Sequence, residues 1–416
     1  MSNTYEKFRN EVVAGGGIDV PDETVGGARA VVGLGALVAL LVVLAIANIW
    51  VFVFVSGLLM SVFLHECGHY VTARKSGMKV TQFFMGMGPR LWSFKRGDIE
   101  YGVRALPIGA FVRIIGMNNL DETDPADEPV AYRSKSYPKR MWVITAGSVM
   151  HMIIAVLLLL TVYTVWGKNR PTGEVAFIRI ETQGPAARAG VQIDDVISSI
   201  DGVAVHRAGQ FVDLIHAHTP GDTATLELVR GGQPVTVAVQ LGTNPTPGNE
   251  NLAYLGVSSG EKSAFQNVPV SEAVGSSFTD LGSAAWQSVQ GVVKVMNPVN
   301  IWQHLSGANT DQSSQPVTVY GISRLSSTIG NETGLPGILL TLAGVNVFVG
   351  LLNMFPLLPF DGGHAAIATY ERIRSRRNRR YTADVAKMVP VAMTVMTFLA
   401  FVLFAGLYLD ITNPIR

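Results

Sequence analysis

The chain has 416 residues, of which 48% are hydrophobic and only 15% charged, and its mean hydropathy is +0.30. Soluble proteins of this length carry about 25% charged residues, so the composition is that of a membrane protein. A net charge of +1 offers no overall basic attraction to phosphate, which argues against a nucleic-acid partner, and the single cysteine, Cys67, excludes an internal disulfide and a cysteine-built metal site.

Residues 1–29 are polar, with Gly15-Gly16-Gly17 and mixed charges, and read as a disordered tail. They lack the basic segment joined to a short apolar one that a cleavable signal needs. From Ala30 to Leu64 there is no charged residue, a run well beyond the about 20 residues that one span needs. Either one helix carries an apolar collar past the bilayer, or the run holds two spans, 30–49 and 50–72, turning near Asn48-Ile49-Trp50. The protein cover that a stranded collar would need favours two spans. At the end of the run stands Phe63-Leu64-His65-Glu66-Cys67-Gly68-His69-Tyr70, an HExxH pattern. On a helix His65 and His69 lie one turn apart on one face, the spacing with which two imidazoles grip a zinc ion, and Glu66 lies close enough to activate a water on that metal. Cys67 points away from that face and reads as a small packing residue.

Segment 73–140 opens with Arg74 and Lys75 and continues through a series of basic residues to Lys139 and Arg140, which makes it cytoplasmic by the positive-inside rule. Within it Val80 to Met117 has strand character, with a turn at Gly86-Met87-Gly88-Pro89, an alternating run at Ile99 to Val103 and a strand over Pro107 to Ile115. Phe83, Phe84 and Trp92 would let such a hairpin dip into the membrane surface, although aromatic strand residues also suit plain sheet packing. A span over 141–167 is closed by Lys168 and Arg170, and the chain beyond it must then be extracytoplasmic. Residues 168–243 read as a small β-rich domain with strands at Glu174–Glu181, Asp195–Ile200, Thr223–Arg230 and Val235–Leu241 and a helix at Ala208–His218. A linker over 244–335 holds a helix from Ala273 to Val295, and two further spans cover 336–370 and 385–409 before a tail at 410–416. The loop 371–384 carries Glu371-Arg372-Ile373-Arg374-Ser375-Arg376-Arg377-Asn378-Arg379-Arg380, read as a topology anchor in preference to a lipid-headgroup patch.

A zinc hydrolase needs three protein ligands and an open position, so HExxH requires a third group. Asp361 is the candidate. It stands after Asn353-Met354-Phe355-Pro356-Leu357-Leu358-Pro359-Phe360, where two prolines break the helix, which a membrane tolerates only where the backbone is buried in protein or lines a cavity. Both motifs immediately precede a cytoplasmic loop, so carboxylate and imidazoles share one depth.

These residues resemble the site-2 protease family, the intramembrane zinc metalloproteases (peptidase M50-like), in the bacterial branch with an extracytoplasmic PDZ domain. The resemblance runs from about Val51 to Leu409 and rests on HExxH, on Asn353-x-x-Pro356-x-x-Pro359-x-Asp361-Gly362, on Gly86-Met87-Gly88-Pro89 with Pro107-Ile108-Gly109, and on Ala186-Ala187-Arg188-Ala189-Gly190-Val191 with Ile200-Asp201-Gly202, which looks like the PDZ signature. It implies His65, His69 and Asp361 as ligands of one Zn2+, Glu66 as general base and Asn353 as a group holding substrate or oxyanion. Where the family has Gly-Pro-x-x-Asn, this chain has Gly147-Ser148-Val149-Met150-His151. His151 then replaces the amide as a hydrogen-bonding core residue, and His364, three residues after Asp361, serves as packing or support for the site.

The expected fold is a polytopic α-helical membrane protein of four core transmembrane helices, with or without one extra at the N-terminus, a membrane-associated β-hairpin and an extracytoplasmic PDZ domain of α+β type. The expected activity is hydrolysis of a peptide bond in a single-span membrane protein already shortened by another protease. An unwound substrate segment would add to a strand edge near Gly109 and Phe111. The resemblance implies a bacterial plasma-membrane location, an active site near the cytoplasmic side, an anti-sigma factor or a signal-peptide remnant as substrate, and a peptide or protein C-terminus as PDZ ligand. A silent scaffold would have lost a ligand or the glutamate, and a transporter would show paired intramembrane charges or an inverted repeat.

Overall fold

The computed structural model describes residues 27–117, 119–121, 123–246, 248–309, 311–376 and 379–415. Residues 1–26 of the expected tail, and Arg377 and Asn378 of the basic loop, lie outside them. The described residues form two compact units, one running up to Val162 and resuming at Val274, the other Tyr163–Ala273.

The long apolar run forms two helices, α1 (Ala28–Ala47) and α2 (Ile49–Lys75), separated by Asn48 alone. The turn can be this short because Asn48 leaves helical geometry at φ −160° and its side chain accepts the Trp50 and Val51 amides at 3.0 and 3.1 Å. That caps the otherwise orphaned donors of α2. Two long strands come next, β1 (Val80–Arg96) and β2 (Ile99–Ile114). Each is bent, so that Phe83 faces Val112 on one side and Tyr101 on the other, while Phe94 faces Tyr101 from the far side. The expected turn at Gly86 to Pro89 is a bend inside β1, made by Gly86 and Gly88 at φ +86° and +83°. Helix α3 (Tyr137–Val165) starts four residues before the expected span.

The second unit is a six-stranded sheet. Its elements are β3 (Lys168–Ile180), the single turn α4 (Pro185–Arg188), β4 (Val196–Ile200), β5 (Val203–Ala204), α5 (Ala208–His216), β6 (Thr223–Arg230), β7 (Gln233–Gln240), the short pair β8 (Gly242–Thr243) and β9 (Ala253–Tyr254), and β10 (Val257–Gln266). The strand order is β10-β3-β4-β6-β7, with β5 on β4. Leu226 and Leu228, alternate residues of β6, and Ile197 and Ile200, which flank a register irregularity in β4, meet Phe211 and Ile215 of α5 in one apolar core. Asp195 is buried before β4, where it accepts the Gln192 amide and both Nε and Nη2 of Arg230 at 2.7–2.8 Å. Burial works against its charge, but those donors prevail and hold its carboxyl below the usual carboxylate range.

The expected end of this domain at 243 is corrected. Strand β10 pairs along β3 from Val257 opposite Ile180 to Gln266 opposite Lys168, so the sheet takes in residues assigned to the linker. Its polar sequence, Val257-Ser258-Ser259-Gly260-Glu261-Lys262, carries no alternation, and its partner is remote in the chain.

Helices α6 (Val270–Val295), α7 (Pro298–Leu305), α8 (Val319–Asn353), α9 (Asp361–Arg374) and α10 (Val389–Thr412) complete the chain. α8 begins well before the expected boundary at 336 and kinks at Gly334 ahead of Pro336. Its first half is polar because it serves contacts with the start of α2. Asn48 Nδ2 donates to Ser327 Oγ at 2.7 Å, Trp50 Nε1 to Asn331 Oδ1 at 3.0 Å, and Gly330 leaves room for the Trp50 ring. The span expected over 336–370 is two helices, α8 ending at Asn353 and α9 starting at Asp361. Glu371 to Arg374 are the last turn of α9, not loop. Glu371 is buried against Arg140 of α3 at 2.5 Å and also accepts the Ala383 amide. Asp410, expected in a tail, is 2% exposed on α10 and accepts the amides of Thr318 and Gly321 at the start of α8. Among the described residues, α1, α2, α3, α8 and the Val385–Thr412 segment containing α10 are long and apolar enough to cross a membrane.

Candidate metal centre

His65 and His69 stand one turn apart on α2, both nearly buried, with their Nε2 atoms 3.1 Å apart. Asp361 Oδ2 lies 3.2 Å from His69 Nε2 and 3.5 Å from His65 Nε2. Three ligands on a tetrahedral zinc with bonds of about 2.0–2.1 Å are separated by edges of about 3.3 Å, so the three atoms already have the spacing that zinc requires. No other described His, Cys, Asp or Glu joins this group.

Local sequence explains how the three are brought together. Asp361 is the first residue of α9, directly after the irregular segment 354–360. Gly362 and Gly363 are needed there because a Cβ on either would collide with the backbone of Met354 to Leu358. On the opposite side, Gly147 of α3 faces both imidazoles, and a Cβ there would collide with His65 and His69. Gly68 likewise lets α2 approach the Ala146 carbonyl of α3, where a Cβ would lie only 2.8 Å away. His69 Nδ1 donates to the Val143 carbonyl at 2.8 Å, which fixes its ring and leaves Nε2 as an acceptor facing the other two atoms. Asp361 Oδ2, one of the three clustered atoms, is buried without a hydrogen bond, as expected of a site built for an ion, and His65 Nδ1, the ring atom outside the cluster, is buried without one too.

Glu66, half-buried on the next position of α2, lies beside the backbone amide of Val112 on β2. Asn353, the last residue of α8, places Nδ2 3.4 Å from His65 Nε2. His151 is 2% exposed, with its ring centroid 4.9 Å from that of His65 and its Nδ1 2.8 Å from Asn346 Oδ1. His364 is buried on α9 outside the three-ligand group, beside a small void bounded by Tyr132, Arg140 and Glu371. Cys67 is half-buried and outside the group. Gly109 takes φ +82°, and the Phe111 ring is buried in a stack on Phe84, so the edge near them offers backbone and not the Phe111 side chain.

Three contributors to the site are not evident from sequence. The need for glycine at Gly147 appears only once the imidazoles face it, and Asn346 and Ser61 belong to no motif. The signal that points to Asn346 and Ser61 is their polarity inside apolar helices.

A sequence model described as peptidase family M50 matches residues 53–397. Zinc metalloprotease Rip1 of Mycolicibacterium smegmatis is 32% identical, with 88% of this chain and 98% of that one covered. Zinc metalloprotease Rip1 of Mycobacterium tuberculosis is 30% identical, with 87% and 97% covered. Among solved structures, the PDZ domain of an SdrC-like protein from Listeria monocytogenes is 22% identical and covers 22% of this chain and 90% of its own, at a TM-score of 0.20.

Proposed function

Since this chain belongs to peptidase family M50 and is an intramembrane zinc metalloprotease, we propose that His65, His69 and Asp361 hold its zinc and that Glu66 is its general base. The observation that carries this is the convergence of the three ligand atoms at 3.1–3.5 Å from two motifs at opposite ends of the chain. Zinc bound there supplies Lewis acidity and brings the pKa of a water towards about 7. Glu66 would take a proton from the attacking water and return it to the leaving amine of the cleaved peptide. Asn353, within reach of the same imidazole, donates its amide N–H to the substrate carbonyl oxygen as charge builds there. Gly147 keeps the face between the imidazoles clear of side chains. His364 supports α9 by packing.

The substrate is a single-span membrane protein already shortened by another protease, such as an anti-sigma factor or a signal-peptide remnant. Its helix must unwind before a carbonyl becomes available. The edge of β2 over residues 110–114 pairs with β1 on one side only and passes Glu66 at Val112, which supports strand addition there. Phe111 lies on this edge and Gly109 just before it, and both act through their backbone. The basic segments at 73–140 and 371–384 support a cytoplasmic site, and the multi-pass chain would sit in a bacterial plasma membrane with the 163–273 unit outside. We assign that unit as a PDZ domain, on the Gly190 and Ile200-Asp201-Gly202 signature and its β-rich sheet with α5, and it would take a peptide or protein C-terminus.

The test is cleavage of a single-span substrate by purified protein together with its zinc content. Glu66→Gln should keep zinc and lose cleavage, whereas His65→Ala and Asp361→Ala should lose both. Full cleavage by Glu66→Gln would overturn the assignment of the base.

A further inference from the structure

Two polar residues buried on α2 and α8 have no part in the reaction described above. Asn346, 1% exposed on α8, donates Nδ2 to the Leu342 carbonyl at 2.8 Å and to Ser61 Oγ at 3.1 Å. Its other amide atom, Oδ1, lies 2.8 Å from His151 Nδ1. This orientation of the amide is forced. Turned over, it would set its oxygen against the Leu342 carbonyl, acceptor against acceptor, at the same distance.

The amide in turn sets the tautomer of His151. Facing a fixed acceptor, Nδ1 must carry the proton, so Nε2 is left as a bare acceptor at the other end of the ring. The neighbouring ring has the complementary need. His65 directs Nε2 to the metal site, so its Nδ1 carries a proton, and that atom is buried without a hydrogen bond of ordinary geometry, although the Gly147 backbone lies alongside. The two ring centroids are 4.9 Å apart. His69 meets the same need through Val143.

Resting on the assignment of His65 as a zinc ligand, we propose that His151 is a positioning residue for it. His151 Nε2 accepts the His65 Nδ1–H across one water, and Asn346 with Ser61 sets the tautomer that makes this possible. A chain of hydrogen bonds then runs from α2 through α8 and α3 back to α2, and it orients one ligand of the site. Outer partners of ligating histidines typically contribute about 10–100-fold in metal affinity.

The experiment measures the zinc dissociation constant of full-length detergent-purified protein by chelator competition, alongside thermal unfolding of the zinc-free form. His151→Phe, which keeps a ring and removes the acceptor, should weaken zinc binding about 10–100-fold while the zinc-free form melts as wild type does. Asn346→Leu touches no ligand and should weaken zinc in the same direction. His151→Gln, which restores an acceptor, should recover most of the affinity and guards against a folding defect in the Phe variant. Wild-type affinity in His151→Phe, or equal losses in His151→Phe and His151→Gln, overturns the proposal. Asp361→Ala is the control that separates the two readings. If it also retains zinc, the ligand assignment has failed; if it alone loses zinc, only the role of His151 has.

Discussion

At the scale of single residues, the site depends as much on absent side chains as on ligands. Gly147 shows this most directly, because any Cβ there would occupy space that His65 and His69 need. Gly147→Ala is therefore expected to lower zinc affinity without touching a ligand, measured by metal content after dialysis. Removing a general base commonly costs about 10²–10⁴-fold in rate, so with Glu66 in that proposed role Glu66→Gln should lose at least that much turnover with zinc still bound. HExxH makes the one-face placement of His65 and His69 readable because a single helical turn sets their geometry. Asp361 is readable as a candidate from chemistry, but its distance to the imidazoles is not.

At the scale of elements, polar side chains pin helices to one another. The Arg140 and Glu371 pair joins α3 to α9, and the side chains are 6% and 10% exposed. Removing one partner of a buried pair typically costs about 3–5 kcal/mol, so Arg140→Ala should lower the melting temperature markedly in detergent. Arg140→Met with Glu371→Leu should recover only part of that loss, since the Ala383 amide would then lack its acceptor. Asp410 plays the corresponding role at the start of α8, where it supplies the cap that Thr318 does not. Asp410→Ala is expected to destabilise the protein by about 0.5–2 kcal/mol, read as a shifted denaturation midpoint. Sequence periodicity locates these helices by their apolar stretches and so misplaces the ends that are polar. The first half of α8 is rich in Ser, Thr and Asn because it contacts protein, and hydropathy reports only contact with lipid.

At the scale of the whole molecule, the 163–273 unit is an insertion whose ends meet. Lys168 pairs with Gln266, and Gly167 sits so close to the Gln266 carbonyl that a Cβ would collide with it. Excision of 168–266 should therefore leave the zinc content intact and change which substrates are cut, whereas excision ending at 243 would strand β10 without its partner β3. Loss of zinc after the first excision would show that the unit supports the site. Within the unit, Asp195 has a depressed folded pKa, so the stability it contributes is fully present above about pH 4 and is lost as pH falls through the lower folded value. Thermal melts of Asp195→Asn against wild type should differ at neutral pH, and the difference should shrink as pH falls through the depressed folded value.

The sequence by itself determined the membrane class, the placement of the zinc motif at the end of an apolar run, the family resemblance and the β-rich insertion. These properties rest on composition, on periodicity and on spacings within one turn or one short motif, where covalent geometry fixes the outcome. Only the tertiary structure decided that Asn48 alone separates α1 and α2, that β10 closes on β3, that Asp361 lies 3.2 Å from an imidazole nitrogen, and that Asn346 meets His151. Each of those joins residues far apart in the chain or depends on which of several buried partners a polar atom meets, and packing alone chooses among them.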